Sequence, residues 1–151
     1  MLAPSIDTIR LFIHLLAAAV WVGGQFVLAG VVPGLRAVDI ANDSLSNPTN
    51  PNPTSTSATK AAANGFARVA WPAFGIAFAT GIWNILAIDG SSSLAYNMTL
   101  GLKLLFVVAA GGSALVHSQT SRKPMMAITG AVGAVASVAV LFLGVLLSNP
   151  A

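Results

Sequence analysis

The chain has 151 residues, of which 56% are hydrophobic and 7% charged, with seven basic and four acidic side chains and a net charge of +3. A soluble domain carries roughly 25% Asp, Glu, Lys and Arg, so this composition excludes a water-covered globular surface, and the same hydrophobicity excludes disorder over most of the length. The few charges form no basic stripe with interleaved aromatics, which argues against a nucleic-acid partner, and the lack of Cys excludes disulfides, thiolate metal sites and Cys nucleophiles.

The first apolar run covers 9–32 and is broken by His14, Gly23, Gly24, Gln25 and Gly30, with Arg10 at its start. It is too long for the core of a signal peptide, and no small-x-small cleavage site follows it. A polar stretch, 33–65, comes next. Its middle reads Asn47-Pro48-Thr49-Asn50-Pro51-Asn52-Pro53-Thr54-Ser55-Thr56-Ser57. That composition cannot bury a core and predicts extended or disordered chain, with flanks able to prolong the neighbouring helices into water. The second run, 69–88, ends in a short loop, 89–97, that contains Ser91-Ser92-Ser93. The third run covers 98–116. A tight turn at 119–124 leads to the fourth, 125–147, and Pro124 suits the first turn of that helix, where its missing N–H costs nothing.

Each run approaches the ~20 residues that cross a ~30 Å hydrocarbon core as a helix. Nothing alternates with the period of a strand. The expectation is an all-α polytopic membrane protein, a single domain built as a four-transmembrane-helix bundle in the lipid bilayer. Arg36, Lys60, Arg68, Arg122 and Lys123 flank the first and third loops, and the other side holds Arg10 alone once Lys103 is counted within the membrane. The positive-inside rule then predicts cytoplasmic loops at 33–65 and 119–124, with both termini outside a plasma or inner membrane. Gly130 with Ala134 and Gly133 with Ser137, together with Gly111 and Gly112, read as small residues that let helices approach in lipid.

Ionisable groups at membrane depth are costly and are functional candidates. Here they are His14, Lys103 and His117, with Arg68 at a helix end; Gln25, Thr80 and Asn84 are the uncharged polar groups. His14, Trp21 and Gln25 are spaced seven and four apart and share one stripe that should face inward, and Lys103 and His117, fourteen apart, share another. Counting depth places His14, Asn84 and Lys103 together in the outer third. His117 lies about 21 Å further in at 1.5 Å per residue, which excludes one haem iron held axially by both histidines. An inner set would comprise His117, Arg68 and Gln25.

A neutral imidazole serves as a metal ligand or an axial haem ligand, and His14 could equally be a hydrogen-bonder between helices. Lys103 could snorkel to the interface, pair with a haem propionate, ligate, or contact an anionic substrate. His117 is a second candidate ligand or an interfacial histidine. Cu(I) favours sulfur and imidazole; Met98 falls at the level of His14, and Met125 and Met126 fall near His117. There is no Gly-x-Ser-x-Gly, His-Glu-x-x-His or phosphate-loop motif, so no catalytic residue is assigned.

Three segments carry a family resemblance: His14-Leu-Leu-Ala-Ala-Ala-Val-Trp21-Val-Gly23-Gly24, then Phe66-Ala-Arg68-Val-Ala with Thr80-Gly81-Ile-Trp-Asn84, then Gly101-Leu-Lys103-Leu-Leu. Their order resembles the copper-resistance protein D (CopD) family of integral membrane proteins and, more distantly, the membrane protoporphyrinogen oxidase HemJ. The Pro/Asn/Thr-rich loop is not part of that pattern. The resemblance implies that His14 and Lys103 are the functional positions and that Trp21, Gly23, Gly24, Arg68 and Asn84 are their scaffold. It implies copper binding or transport; with the sulfur and imidazole residues already noted, the metal-ligand candidates are His14, Met98 and His117, with Lys103, Asn84 and Trp21 around them. The alternatives are a haem b protein with His14 as axial ligand, and an accessory subunit or assembly factor of a larger membrane complex. A narrow four-helix unit also leaves room for a homo-oligomer.

Overall fold

The computed structural model describes residues 4–45, 57–87 and 93–148. Its elements are four helices, α1 (Ile6–Leu45), α2 (Ala58–Leu86), α3 (Leu94–Gln119) and α4 (Lys123–Ser148). There is no strand among the described residues, and the protein is all-α. All four helices are long and apolar enough to cross a membrane. Many of their large apolar side chains are exposed, among them Phe12, Phe26, Val108 and Phe142, each at least 60% exposed. Water would not tolerate such a surface and lipid does, which marks an integral membrane protein in contact with the bilayer.

The chain groups into two compact units, Met1–Asn84 and Ile85–Ala151. The first is an antiparallel pairing of α1 with α2. Arg10 meets Asn84, His14 meets Thr80, Trp21 meets Phe74, and Asp39 meets Ala58 and Thr59. Each step up α1 is therefore matched by a step down α2. Buried Ala17, Trp21 and Val22 of α1 and Ala70, Ala73 and Thr80 of α2 form the inner residues. The second unit pairs α3 with α4 around buried Ala110, Gly133, Ala136, Ser137 and Leu143. Alanine, glycine and serine dominate because lipid gives no hydrophobic drive between helices, so close backbone approach has to supply the packing. At Gly133 a Cβ would stand 2.9 Å from Ser113 Oγ, closer than α3 permits.

The helices overrun the predicted spans. The stretch 33–65, expected as a loop, is helical at both flanks, since α1 continues to Leu45 and α2 begins at Ala58. Hydropathy marks the part of a helix that lipid covers and not its full extent. Leu35, Arg36, Ala37 and Ala41 are good or tolerable helix formers. Pro33 sits inside α1; its fixed φ is helical, and the cost is one backbone bond. At 1.5 Å per residue the 40 residues of α1 span about 60 Å, twice the hydrocarbon thickness. The start of α2 is held by two caps. Ser57 Oγ accepts from Lys60 N–H at 3.2 Å, and Asp39 reaches across from α1 to accept from Ala58 and Thr59 N–H at 2.7 and 3.1 Å. A carboxylate at a helix N-terminus satisfies orphan donors and opposes the helix dipole. The low-complexity core of the loop, 46–56, lies outside the described residues, as do 88–92 with Asp89, Ser91 and Ser92. Ser93 caps α3, accepting from Tyr96 N–H at 3.2 Å.

Candidate functional site

In the first unit a ladder of polar and aromatic contacts runs between α1 and α2. At the end where the chain enters α1, Arg10 donates from Nε to Asn84 Oδ1 at 2.6 Å, pairs with Asp7 at 3.0 Å, and lies over Trp83 at 5.8 Å. Its side chain is 13% exposed. A buried guanidinium needs partners, and these three supply a carbonyl oxygen, a carboxylate and a ring face. One turn deeper, half-buried His14 places Nδ1 3.0 Å from Thr80 Oγ1. The Thr80 hydroxyl donates to the Ile76 carbonyl at 2.6 Å, with Ala77 O further off at 3.2 Å. A hydroxyl has one hydrogen. With that hydrogen spent on Ile76, the oxygen can only accept from the imidazole. Nδ1 is therefore the donor in this contact. Gly81 makes room for this geometry, because a Cβ there would come within 3.3 Å of His14 Cε1.

Below His14 the ladder is aromatic. Buried Trp21 packs on Phe74 at 4.7 Å and on Trp71 at 5.8 Å, and Trp71 meets Phe74 edge-on at 6.2 Å. Gly24 then lies directly against the Phe66 ring. Trp21 shares the stripe of His14, as the spacing predicts, and it serves there as the hub of the helix pairing. Gln25 is half-buried on α1, and Arg68 is exposed on α2.

The second unit holds the other candidates. His117, near the end of α3, sets Nδ1 2.9 Å from the Met126 carbonyl and 3.3 Å from Thr129 Oγ1. A carbonyl only accepts, so this imidazole also carries its hydrogen on Nδ1. Thr129 donates to the Met125 carbonyl at 2.7 Å, and a Cβ on Gly130 would stand 3.4 Å from His117 Cε1. Half-buried Lys103 extends along α4, its Nζ 3.2 Å from where a Gly144 Cβ would be. Met98 and Met125 are exposed at 68% and 45%.

No family model, curated protein or solved structure matches the chain.

The sequence groups Asn84 with His14 and Lys103 by depth. Within the first unit Asn84 accepts from Arg10, and Thr80, one turn away, faces His14. Within the second unit Lys103 approaches Gly144. Two participants were underrated: Arg10, which reads as an isolated surface charge, and Thr80, which reads as an uncharged polar residue in an apolar helix. The signal that could have found them was periodicity. Arg10 precedes His14 by four residues, and Thr80 precedes Asn84 by four, so both pairs repeat along one helix face. Among the described residues no three His or Asp side chains gather into a metal-holding group.

Proposed function

We propose that this chain is a small CopD-like membrane protein that binds or moves copper, with His14 as the principal ligand. The observation that carries the reading is the imidazole of His14 at membrane depth with Nδ1–H given to Thr80. Metal-ligating histidines donate one ring N–H to a fixed acceptor and coordinate through the other nitrogen. His117 has the same disposition at the far end of α3, with Met125 and Met126 as neighbouring sources of sulfur. Imidazole and thioether suit Cu(I). With few protein ligands gathered, carbonyl, hydroxyl or sulfur donors complete the shell, which favours transient binding over a closed structural site. Met98 is the sulfur candidate on α3, and Lys103 the candidate contact for an anion that accompanies the metal.

A second reading rests on the same residue. His14 is equally a candidate axial ligand of haem b, and Lys103 would then suit a propionate. In either case the membrane orientation we infer from the basic residues has both termini outside and 33–65 and 119–124 in the cytoplasm. A homo-oligomer or a larger membrane complex fits the narrow helix pairs.

The test is an absorbance spectrum of the purified protein in mild detergent, oxidised and reduced, with metal analysis of the same sample. Bound copper that is lost in His14→Ala supports the copper reading. A Soret band with reduced b-type bands, lost in the same variant, replaces copper with haem. A protein that stays colourless and takes up neither copper nor haem on titration refutes both and leaves an accessory subunit.

A further inference from the structure

We propose that the seam between α3 and α4 binds one anionic phospholipid, with its phosphate on Lys103 and an acyl chain in the apolar groove that starts one turn further along α3. The site lies wholly within the second unit. It goes beyond the copper reading, since it needs no metal at either histidine. Two observations carry it. The first is the half-buried amine of Lys103, which crosses to α4 and stands 3.2 Å from where a Gly144 Cβ would be. The bare glycine backbone leaves the space that Nζ takes. Among the described residues this amine has no hydrogen-bond or ion-pair partner. An ammonium at membrane depth is costly until an anion meets it.

The second observation is a groove of about 300 Å³, lined by Phe106 and Ala109 of α3 and by Ala131, Val132, Val135 and Ala136 of α4. Every side chain that lines it is apolar, and its volume matches the small end of ligand sites. Phe106 follows Lys103 by three residues, so the amine and the mouth of the groove are neighbours on the helix surface. Exposed Leu102 and Leu105 flank the amine on α3 and offer apolar surface to the same lipid.

The order of these parts favours a lipid over a soluble anion. Lys103 lies five residues inside the apolar run that starts at 98, about 8 Å along the helix. Phe106 and Ala109 follow it toward the middle of the span. A phospholipid of that leaflet has the same polarity, with its phosphate at the surface and its chains toward the middle. The ammonium supplies three donors to the phosphate oxygens, and such charge-assisted bonds are the strong ones. A free phosphate would use the amine alone and gain nothing from the groove.

The experiment titrates the full chain in detergent with dioleoyl phosphatidylglycerol or dioleoyl phosphatidylcholine and reads bound lipid by native mass spectrometry. A single phosphatidylglycerol per chain is expected, held about fivefold more tightly than phosphatidylcholine, the effect of one lysine on an anionic lipid. Lys103→Met should weaken phosphatidylglycerol about 10-fold, as expected for a lost hydrogen bond to a charged group, and erase the preference. Ala131→Leu narrows the groove and should weaken both lipids while keeping the preference. Lys123→Met removes an exposed cation at the start of α4 and should change neither. Equal affinity for the two lipids in the unaltered protein, an unchanged preference in Lys103→Met, or the same loss in Lys123→Met overturns the site. Unchanged binding in Ala131→Leu overturns the groove as the place of the acyl chain. Displacement of the lipid by inorganic phosphate at equal concentration makes a soluble anion the ligand and overturns the lipid.

Discussion

Gly24 of α1 lies against the Phe66 ring of α2, and this gives a test of their pairing that does not depend on any ligand. A Cβ at Gly24 would overlap Cε2 of Phe66 and stand 3.0 and 3.1 Å from Cδ2 and Cζ. Ordinary carbon contacts begin near ~3.5 Å, so the ring edge would have to withdraw by about an ångström. Overpacking of this kind costs about 1–3 kcal/mol, while replacing glycine by alanine inside a helix returns about 1 kcal/mol. Gly24→Ala alone should therefore destabilise by up to about 2 kcal/mol. Phe66→Ala removes the obstacle, and in that background Gly24→Ala should stabilise by about 1 kcal/mol, because only the helix term remains. The double-mutant cycle is thus expected to show a coupling of about 1–3 kcal/mol. Reversible SDS unfolding in mixed micelles measures it, with the emission of the Trp21 cluster as the signal. If the two substitutions add to within about 0.5 kcal/mol, the helices do not pair in this register and the His14–Thr80 geometry loses its support.

Three further outcomes follow from the same contacts. Asn84→Ala strips the carbonyl from a guanidinium side chain that is 13% exposed, and a hydrogen bond to a charged group contributes about 1.5–3 kcal/mol; the same titration should show a loss of that size, and a loss below about 0.5 kcal/mol would contradict the pairing with Arg10. Asp39→Ala should accelerate amide exchange at Ala58 and Thr59, the two donors that it caps, and leave Tyr96, capped by Ser93, unchanged; equal acceleration at both helix starts would mean general loosening. Gly81→Ala puts a Cβ 3.3 Å from His14 Cε1 and should lower metal or haem affinity about tenfold, while Gly75→Ala, with nothing within 4 Å, should not; equal effects would show that Gly81 only tunes helix stability.

The functional candidates were half legible in the sequence. His14 and His117 stand out because an ionisable side chain is costly inside an apolar run and is rarely kept there without a role. Their partners do not stand out. Depth along a helix can be counted from the chain, but a side chain's neighbour also depends on the direction it takes around the axis and on the register of the facing helix. Counting brought Asn84 to the level of His14, yet the α1–α2 register offsets it by one turn and hands it to Arg10. Thr80 was hidden for another reason. A threonine bonded to its own helix looks satisfied, and only the facing ring reveals that its remaining lone pair is used.

By itself the sequence determined the helical class, the four apolar crossings and the identity of the polar groups within them, because lipid admits few backbone solutions and sets the length of each span. Tertiary structure decided where the helices end beyond the lipid and which polar groups meet. The polar flanks of α1 and α2 stay helical where Asp39 closes one helix onto the start of the other. The partner of each histidine Nδ1 was decided there as well, since the acceptor comes from a second helix, sixty-six residues away for His14 and nine residues away for His117. Hydropathy carries no information about such a contact, whereas close packing holds each ring against its acceptor and so fixes it.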